Sequence, residues 1–421
     1  MRAAGRGTLG CMQNTLSEDA LAAWLRLSLQ PGIGAIHAQR LLQTFSDPCA
    51  LYQASYATLR AILPAPLASH LAQPLNQDSA QYIERALNWA REPGQALITA
   101  AHPCYPERLR QLPDAPVVLY ARGALRRLEQ NALAIVGARH ATADGLDHAR
   151  AFALYLAQQG FVVVSGLAHG IDAAAHRGAL AAGSDQGGTI AVLGTGADVI
   201  YPTSHRALAE DILSADGLIL SEFELGRPAL AAHFPKRNRI VAGLSLGVVV
   251  IEAALKSGSL ITARLAVDMG REVFAIPGSI HSPLARGPHA LIKQGAKLVE
   301  SGADILAELQ PSTNIERHLA KASAQNTSQT LLPLVCHDAD AESTPRPSPN
   351  AGAPPRAIAP TPNSPAWDAI GYDLVTEEQL QRRTGLAPAQ LQVELFTLEL
   401  EGHIVRRGHG QFVRARARTV C

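Results

Sequence analysis

The chain has 421 residues, 47% apolar and 17% charged, and 37 Lys and Arg against 36 Asp and Glu leave a formal charge of +1. That length exceeds what one hydrophobic core usually supports, so two or three domains are expected, and the apolar content excludes a wholly disordered chain. The even charge balance excludes a basic bulk, so any grip on a polyanion must come from local clusters. No stretch reaches about 18 uninterrupted apolar residues, and no apolar segment separates Arg2 and Arg6 from Gln13 and Asn14, so the expectation is a cytoplasmic protein without a membrane span. Cys11, Cys49, Cys104, Cys336 and Cys421 lie far apart with no C-x-x-C pair. Neither a disulfide framework nor a bound metal is expected from them.

In chain order, residues 14–90 read as a small helical domain, with Leu21, Trp24, Leu25 and then Leu41, Leu42, Phe45 at helical spacing and Pro31-Gly32-Ile33-Gly34 as punctuation. From 91 to 310 short apolar runs alternate with alanine-rich helical stretches. The strands are predicted at Ala132 to Val136, Phe161 to Val164, Thr189 to Leu193, Gly217 to Leu220, Gly247 to Ile251 and Glu272 to Ile276. Runs that are apolar on both faces and alternate with helices call for a doubly wound α/β domain with a mainly parallel sheet. Residues 311–365 read as a linker, since Thr344 to Pro365 alone holds eight prolines. In 366–416, helices are predicted around Thr376 to Arg383 and over Pro388 to Glu401, and strands over Gly402 to Arg406 and Gln411 to Arg414, which together describe a winged helix.

Ligands of a doubly wound sheet bind beyond the carboxyl ends of its strands, where glycines admit the backbone and helix N-termini offer free N–H groups. The polar motifs fall at those ends. Gly137-Ala138-Arg139 follows the first predicted strand without the glycines of a dinucleotide fingerprint, leaving Arg139 as a cation at the strand end or as a salt-bridged surface arginine. Ser165-Gly166-Leu167-Ala168-His169-Gly170-Ile171-Asp172 forms a bare loop suited to a phosphate, with Asp172 a candidate helix cap. Ser165 has neither a nucleophile-elbow motif nor a placed acid to support it as a catalytic group. His233 to Arg239 packs Lys236, Arg237 and Arg239 around Asn238, either a multi-phosphate site or a solvated loop. Ser257-Gly258-Ser259, ahead of Thr262, presents hydroxyls and N–H groups but no Walker lysine, which suits an anion without ATPase chemistry. Glu252 is an acid or base, or a holder of Arg139 or Lys256.

These motifs, together with Gly194 to Pro202, Ser221-Glu222, Phe234 to Ser245 and Val273 to Gly278, stand in the order found in the DNA-processing protein A family, DprA or Smf, which the chain resembles over about residues 90 to 309. The resemblance implies a Rossmann-like core, sequence-independent binding of single-stranded DNA, and loading of RecA on DNA covered by single-strand binding protein during natural transformation. It further implies a homodimer formed through the C-terminal part of the core, here including Leu291 to Val299, and no cofactor or catalytic residue. On that reading Arg139, Lys236, Arg237 and Arg239 track phosphates, Asn238 adds a directional bond, and Ser165, Gly166, Ser257, Gly258, Ser259 and Thr262 complete one pocket. Tyr201 and Phe234 are the aromatics near the motifs available for stacking.

At the amino end, Pro31 to Ala35 resembles a helix-hairpin-helix turn, in a domain similar to a sterile alpha motif, although a plain tight turn between packed helices fits equally. The second predicted helix of the winged domain carries Glu394, Glu399 and Glu401 and no cation, which opposes phosphate approach. Arg406, Arg407, Arg414, Arg416 and Arg418 follow it, leaving a protein contact or a wing-only DNA contact open. The alternative function is hydrolysis of a nucleotide or nucleotide sugar on a related fold, using Glu252, Ser165 and Asp172.

Overall fold

The computed structural model describes residues 16–45, 47–309, 364–371, 374–407 and 410–415. The linker expected over 311–365 lies outside the described residues except for its last two, as do Arg416 and Arg418.

Six helices open the fold: α1 Glu18–Leu29, α2 Ala35–Phe45, α3 Pro48–Gln53, α4 Tyr56–Ile62, α5 Ala65–Ala72 and α6 Gln77–Arg91. Four of them start where the side chains of Ser17, Asp47, Ser55 and Asn76 accept the N–H of the residue three positions on, each cap contributing about 1 kcal/mol. Gly32 takes a left-handed φ of 77°, and a Cβ there would lie 2.8 Å from Leu67 Cδ2. The turn that Pro31 to Gly34 makes is therefore one only glycine accommodates.

The buried Trp24, Leu25, Leu41, Leu51, Leu59, Leu71 and Ile83 form one cluster with Leu97, Val118 and Tyr120 of the first two strands, β1 Gln95–Thr99 and β2 Val118–Gly123. Tyr82 of α6 reaches the Tyr120 hydroxyl at 2.7 Å and accepts the N–H of Leu225. Neither strand is among those predicted from the sequence. Both pair antiparallel, β1 on β2 and β2 on β6, so the sheet is mixed at this border.

The other seven strands are β3 Ala132–Val136, β4 Val162–Ser165, β5 Thr189–Val192, β6 Leu218–Ser221, β7 Gly247–Val250, β8 Glu272–Ala275 and β9 Lys297–Leu298. The first six of these match the predicted runs to within a residue or two. The nine strands lie in the order β1-β2-β6-β5-β4-β3-β7-β8-β9, parallel from β6 to β9.

Helices cover both faces. Alongside the short α7 Glu107–Arg110, they are α8 Ala143–Gln158, α9 Ile171–Leu180, α10 Arg206–Ser214, α11 His233–Leu244, α12 Gly258–Asp268, α13 Arg286–Lys293 and α14 Gly302–Leu309. Val136, Val164, Val192 and Val248 pack with Ile240, Val241 and Leu260 of α11 and α12, while Leu133, Ile135, Val163 and Val249 pack with α8 and α9 on the other face. Both sets are fully buried, which is why the strands read as continuous apolar runs. Strand order reverses at β3, which has β4 on one side and β7 on the other. The chain leaves β3 for α8 on one face and β7 for α12 on the opposite face, so a crevice opens between them.

The winged helix consists of α15 Pro365–Ala369, β10 Val375–Thr376, α16 Glu377–Thr384, α17 Pro388–Leu400, β11 Ile404–Arg407 and β12 Gln411–Arg414. A reciprocal capping box between Thr376 and Gln379 starts α16, and Gly385, with φ 67°, ends it. Leu380, Leu391, Leu395, Leu398, Ile404 and Phe412 form its own core. The pair of strands predicted at the end is joined by β10 in a three-stranded sheet.

Candidate nucleic-acid interface

A cleft of about 580 Å³ opens at the β3/β7 reversal. Arg139 and Gly137 enter it from the loop after β3, Ala168 and Asp172 from the loop after β4 and the first turn of α9, Arg237 and Asn238 from α11, and Ser257, Gly258, Ser259 and Thr262 from the start of α12. Tyr201 and Phe234 line it as well, their rings 5.7 Å apart. Segments dispersed from Gly137 to Thr262 thus converge because each follows the carboxyl end of a strand of one parallel set.

Close packing explains the glycines. At Gly137 a Cβ would lie 2.5 Å from Ile171 Cγ1, and at Gly170, whose φ is 74°, 2.2 Å from the Ala138 carbonyl. The two loops after β3 and β4 are therefore pressed together, with the Ile171 N–H donating to Ala138 O. Helix α9 begins at Ile171 with Gly170 as its cap, so Asp172 is not the cap residue. Its carboxylate instead accepts the Ala168 N–H from within the first turn.

The cluster around Lys236 is helical, not a solvated loop, and the helix turn of about 100° per residue sends its cations in different directions. Lys236 is exposed and sits 3.6 Å from Glu222, outside the cleft lining. Arg237 is buried, and its Nη1 donates to the carbonyl of Val192 while the Asp172 charge offsets part of its desolvation. Arg239 is also buried and faces away, paired with Glu222 and, at 3.1 Å, with Asp114. Burial raises the Glu222 carboxyl above its ordinary range, and Arg239 and then Lys236 oppose that shift. Direct phosphate tracking by Arg239 is thus not what this geometry offers; its partners are acids.

Ser165 is fully buried, its hydroxyl donating 2.7 Å to the Ile135 carbonyl, so it ties β4 to β3 instead of facing the cleft. Gly166 likewise faces the guanidinium of Arg237, which occupies the space a side chain would need. By contrast Arg139 is exposed, with Phe234 5.4 Å beneath its guanidinium and no ion pair among the described residues. Ser257 caps α12, accepting the Ser259 N–H, and the two hydroxyls lie 2.6 Å apart. Gly258 has open space where a Cβ would stand, and Asn238 reaches its carbonyl at 3.4 Å.

Glu252 takes the N–H and hydroxyl of Thr142, the cap of α8, at 2.9 and 2.6 Å. It holds neither Arg139 nor Lys256, and it lines a separate small pocket with Gly145 and Ser279. Of the three residues considered for hydrolysis, only Asp172 reaches the cleft. His176 is buried between Thr189 Oγ1 and the Leu167 N–H, and burial lowers its pKa to about 3. Among the described residues no group of His, Cys, Asp and Glu is arranged to hold a metal ion.

The loop carrying Ala229 and Ala231, which also lines the cleft, was not singled out from the sequence. It bears no charge or motif that distinguishes it. What reveals it is only its position ahead of α11.

The sequence profile described as DNA recombination-mediator protein A matches residues 96–310, and that of the DprA winged helix domain matches 345–410. Protein Smf of Synechocystis is 34% identical over 407 residues, covering 92% of this chain and 97% of that protein. Protein Smf of Escherichia coli K12 is 48% identical over 228 residues, which are 54% of this chain and 60% of that protein. The X-ray structure of DNA processing protein A from Streptococcus pneumoniae superposes with a TM-score of 0.59 at 36% identity, over 70% of this chain and 99% of that one.

Proposed function

The chain belongs to the DNA recombination-mediator protein A family, and we propose that its cleft grips single-stranded DNA through phosphates, without sequence preference and without cutting it. The observation that carries this reading is Arg139, an exposed cation with no acidic partner among the described residues, facing the bare first turn of α12 across an open cleft. A phosphate between them would meet a guanidinium, the N–H groups at Gly258 and the Asn238 amide, while Tyr201 offers an exposed ring for a base. Lys236 lies outside that lining and extends the positive surface for a strand that leaves it. Arg237 and Gly166 shape the floor, and Ser165 and Arg239 hold the frame.

A non-enzymatic role is supported by the separation of the candidate acids. Glu252 is engaged with Thr142, the Ser165 hydroxyl donates to the Ile135 carbonyl, and Asp172 is committed to the buried Arg237, Ser165 and the Ala168 N–H, so each of the three is occupied in a contact that holds the fold. In the same reading the protein loads RecA onto incoming DNA during natural transformation, working as a homodimer in the cytoplasm alongside single-strand binding protein. No described helix is long and apolar enough to cross a membrane.

The test is a fluorescence-anisotropy titration with single- and double-stranded oligomers across a salt series, with nucleotide hydrolysis followed in parallel. Tighter binding of single strands, a steep salt dependence and no turnover are expected. RecA filament growth on coated single strands, with and without the protein, tests the loading step.

A further inference from the structure

We propose that the first turn of α8 is the docking surface for the chain's own winged helix, and that the docking is reversible, latched by Arg383 and released by salt. This goes beyond the DNA reading and does not depend on it. Arg383, at the end of α16, donates from Nη2 to Asp144 at 2.6 Å and from Nε to Asp147 at 3.1 Å, while its Nη1 holds the Ala369 carbonyl of its own unit. Its side chain is 17% exposed and that of Asp144 23%, so this is a half-buried, multidentate contact and not a fringe pair. Gly371 completes it. A Cβ there would lie 1.9 Å from Asp144 Oδ2, so the absence of a side chain is what lets the two surfaces meet.

Apolar burial does not hold this interface. The winged helix closes its core on itself, and among the described residues no buried apolar cluster combines its residues with those of the sheet domain. Charge complementarity between one guanidinium and two carboxylates therefore carries the specificity, and the covalent connection through 310–363 keeps the partner at high local concentration. The acceptor side is preset: Thr142 caps α8 and Glu252 clamps Thr142, so Asp144 and Asp147 project from a fixed turn. Screening shortens the reach of such a contact from about 8 Å at physiological ionic strength to about 3 Å at 1 M, which weakens the latch while leaving both cores intact.

Small-angle scattering of the full chain, free of nucleic acid, reads the docked fraction. The wild type should be compact at low salt and expanded near 1 M salt. The double variant Asp144→Asn/Asp147→Asn, which leaves the winged helix untouched, should be expanded at both, with the docked-to-released ratio falling at least about tenfold. Arg383→Asp should do the same, and combining it with Asp144→Lys should restore compaction at low salt. Scattering of the wild type that does not change with salt, or carboxamide variants as compact as the wild type, would overturn the latch. Circular dichroism of each variant separates release of the unit from its unfolding.

Discussion

The guanidinium of Arg237 rests on the backbone of Gly166: a Cβ at that glycine would stand 2.0 Å from Arg237 Nη1. The bare loop after β4 thus serves a protein cation before it serves any ligand. Gly166→Ala should displace Arg237 from the Val192 carbonyl and destabilise the protein by about 1–3 kcal/mol, measured by urea denaturation. An alanine variant as stable as the wild type would show that the arginine has room to move.

Arg139→Ala removes an exposed group that lies over the Phe234 ring and makes no ion pair among the described residues. Stability should be unchanged, while affinity for single-stranded oligomers falls about three- to tenfold, equally for all sequences, and the salt slope drops by about 0.7, the value of one phosphate on a single strand. Anisotropy titrations on pyrimidine and purine oligomers measure both.

Arg239→Ala should act in the opposite sense. It leaves Glu222 buried with only the partly exposed Lys236, at a cost of about 3–5 kcal/mol. Affinity measured on the folded fraction should stay within about twofold of the wild type, since the removed charge was already neutralised. Thermal melts and titrations on the same preparation separate the two effects. A large loss of affinity at unchanged stability would return this residue to the binding surface.

His176 links stability to pH. Burial depresses its pKa to about 3 from 6.5, so the folded state excludes a proton that the unfolded chain takes up below pH 6.5. The stability it contributes is complete above that value and is lost as pH falls towards 3. Between pH 7.5 and pH 5 the loss from this one group is about 2 kcal/mol. A His176→Gln variant should have a flatter profile over that interval in urea titrations, whatever its stability at neutral pH.

The parallel strands were legible because burial on both faces leaves uninterrupted runs such as Ala132 to Val136, and the convergence of Arg139 with Ser257 to Ser259 follows from their position beyond strand ends, Asn238 joining them from α11. The antiparallel strands were not. Gln95–Thr99 and Val118–Gly123 are isolated short runs among Pro, Cys and polar residues, and what makes them strands is the tertiary pairing of β2 with β6. Nor could composition separate the cations of α11. Lys236, Arg237 and Arg239 read as one basic cluster, and only the helical rotation and the position of Glu222 decide which of them meets solvent. The role of Glu252 was hidden for a related reason, since its partner Thr142 lies 110 positions away.

Tyr82, hydrogen-bonded to Tyr120 and to the Leu225 amide, has a consequence for how the molecule can be taken apart. The amino-terminal helices are not a detachable appendage, because cutting near residue 90 would strip the cover from Leu97, Val118 and Tyr120 and leave a wet, sticky sheet margin. Excision there should yield insoluble material, whereas severing the chain beyond Leu309 leaves a self-sufficient body. In this chain the amino-terminal helices and the sheet therefore come apart only together, whereas the winged helix closes its core on itself.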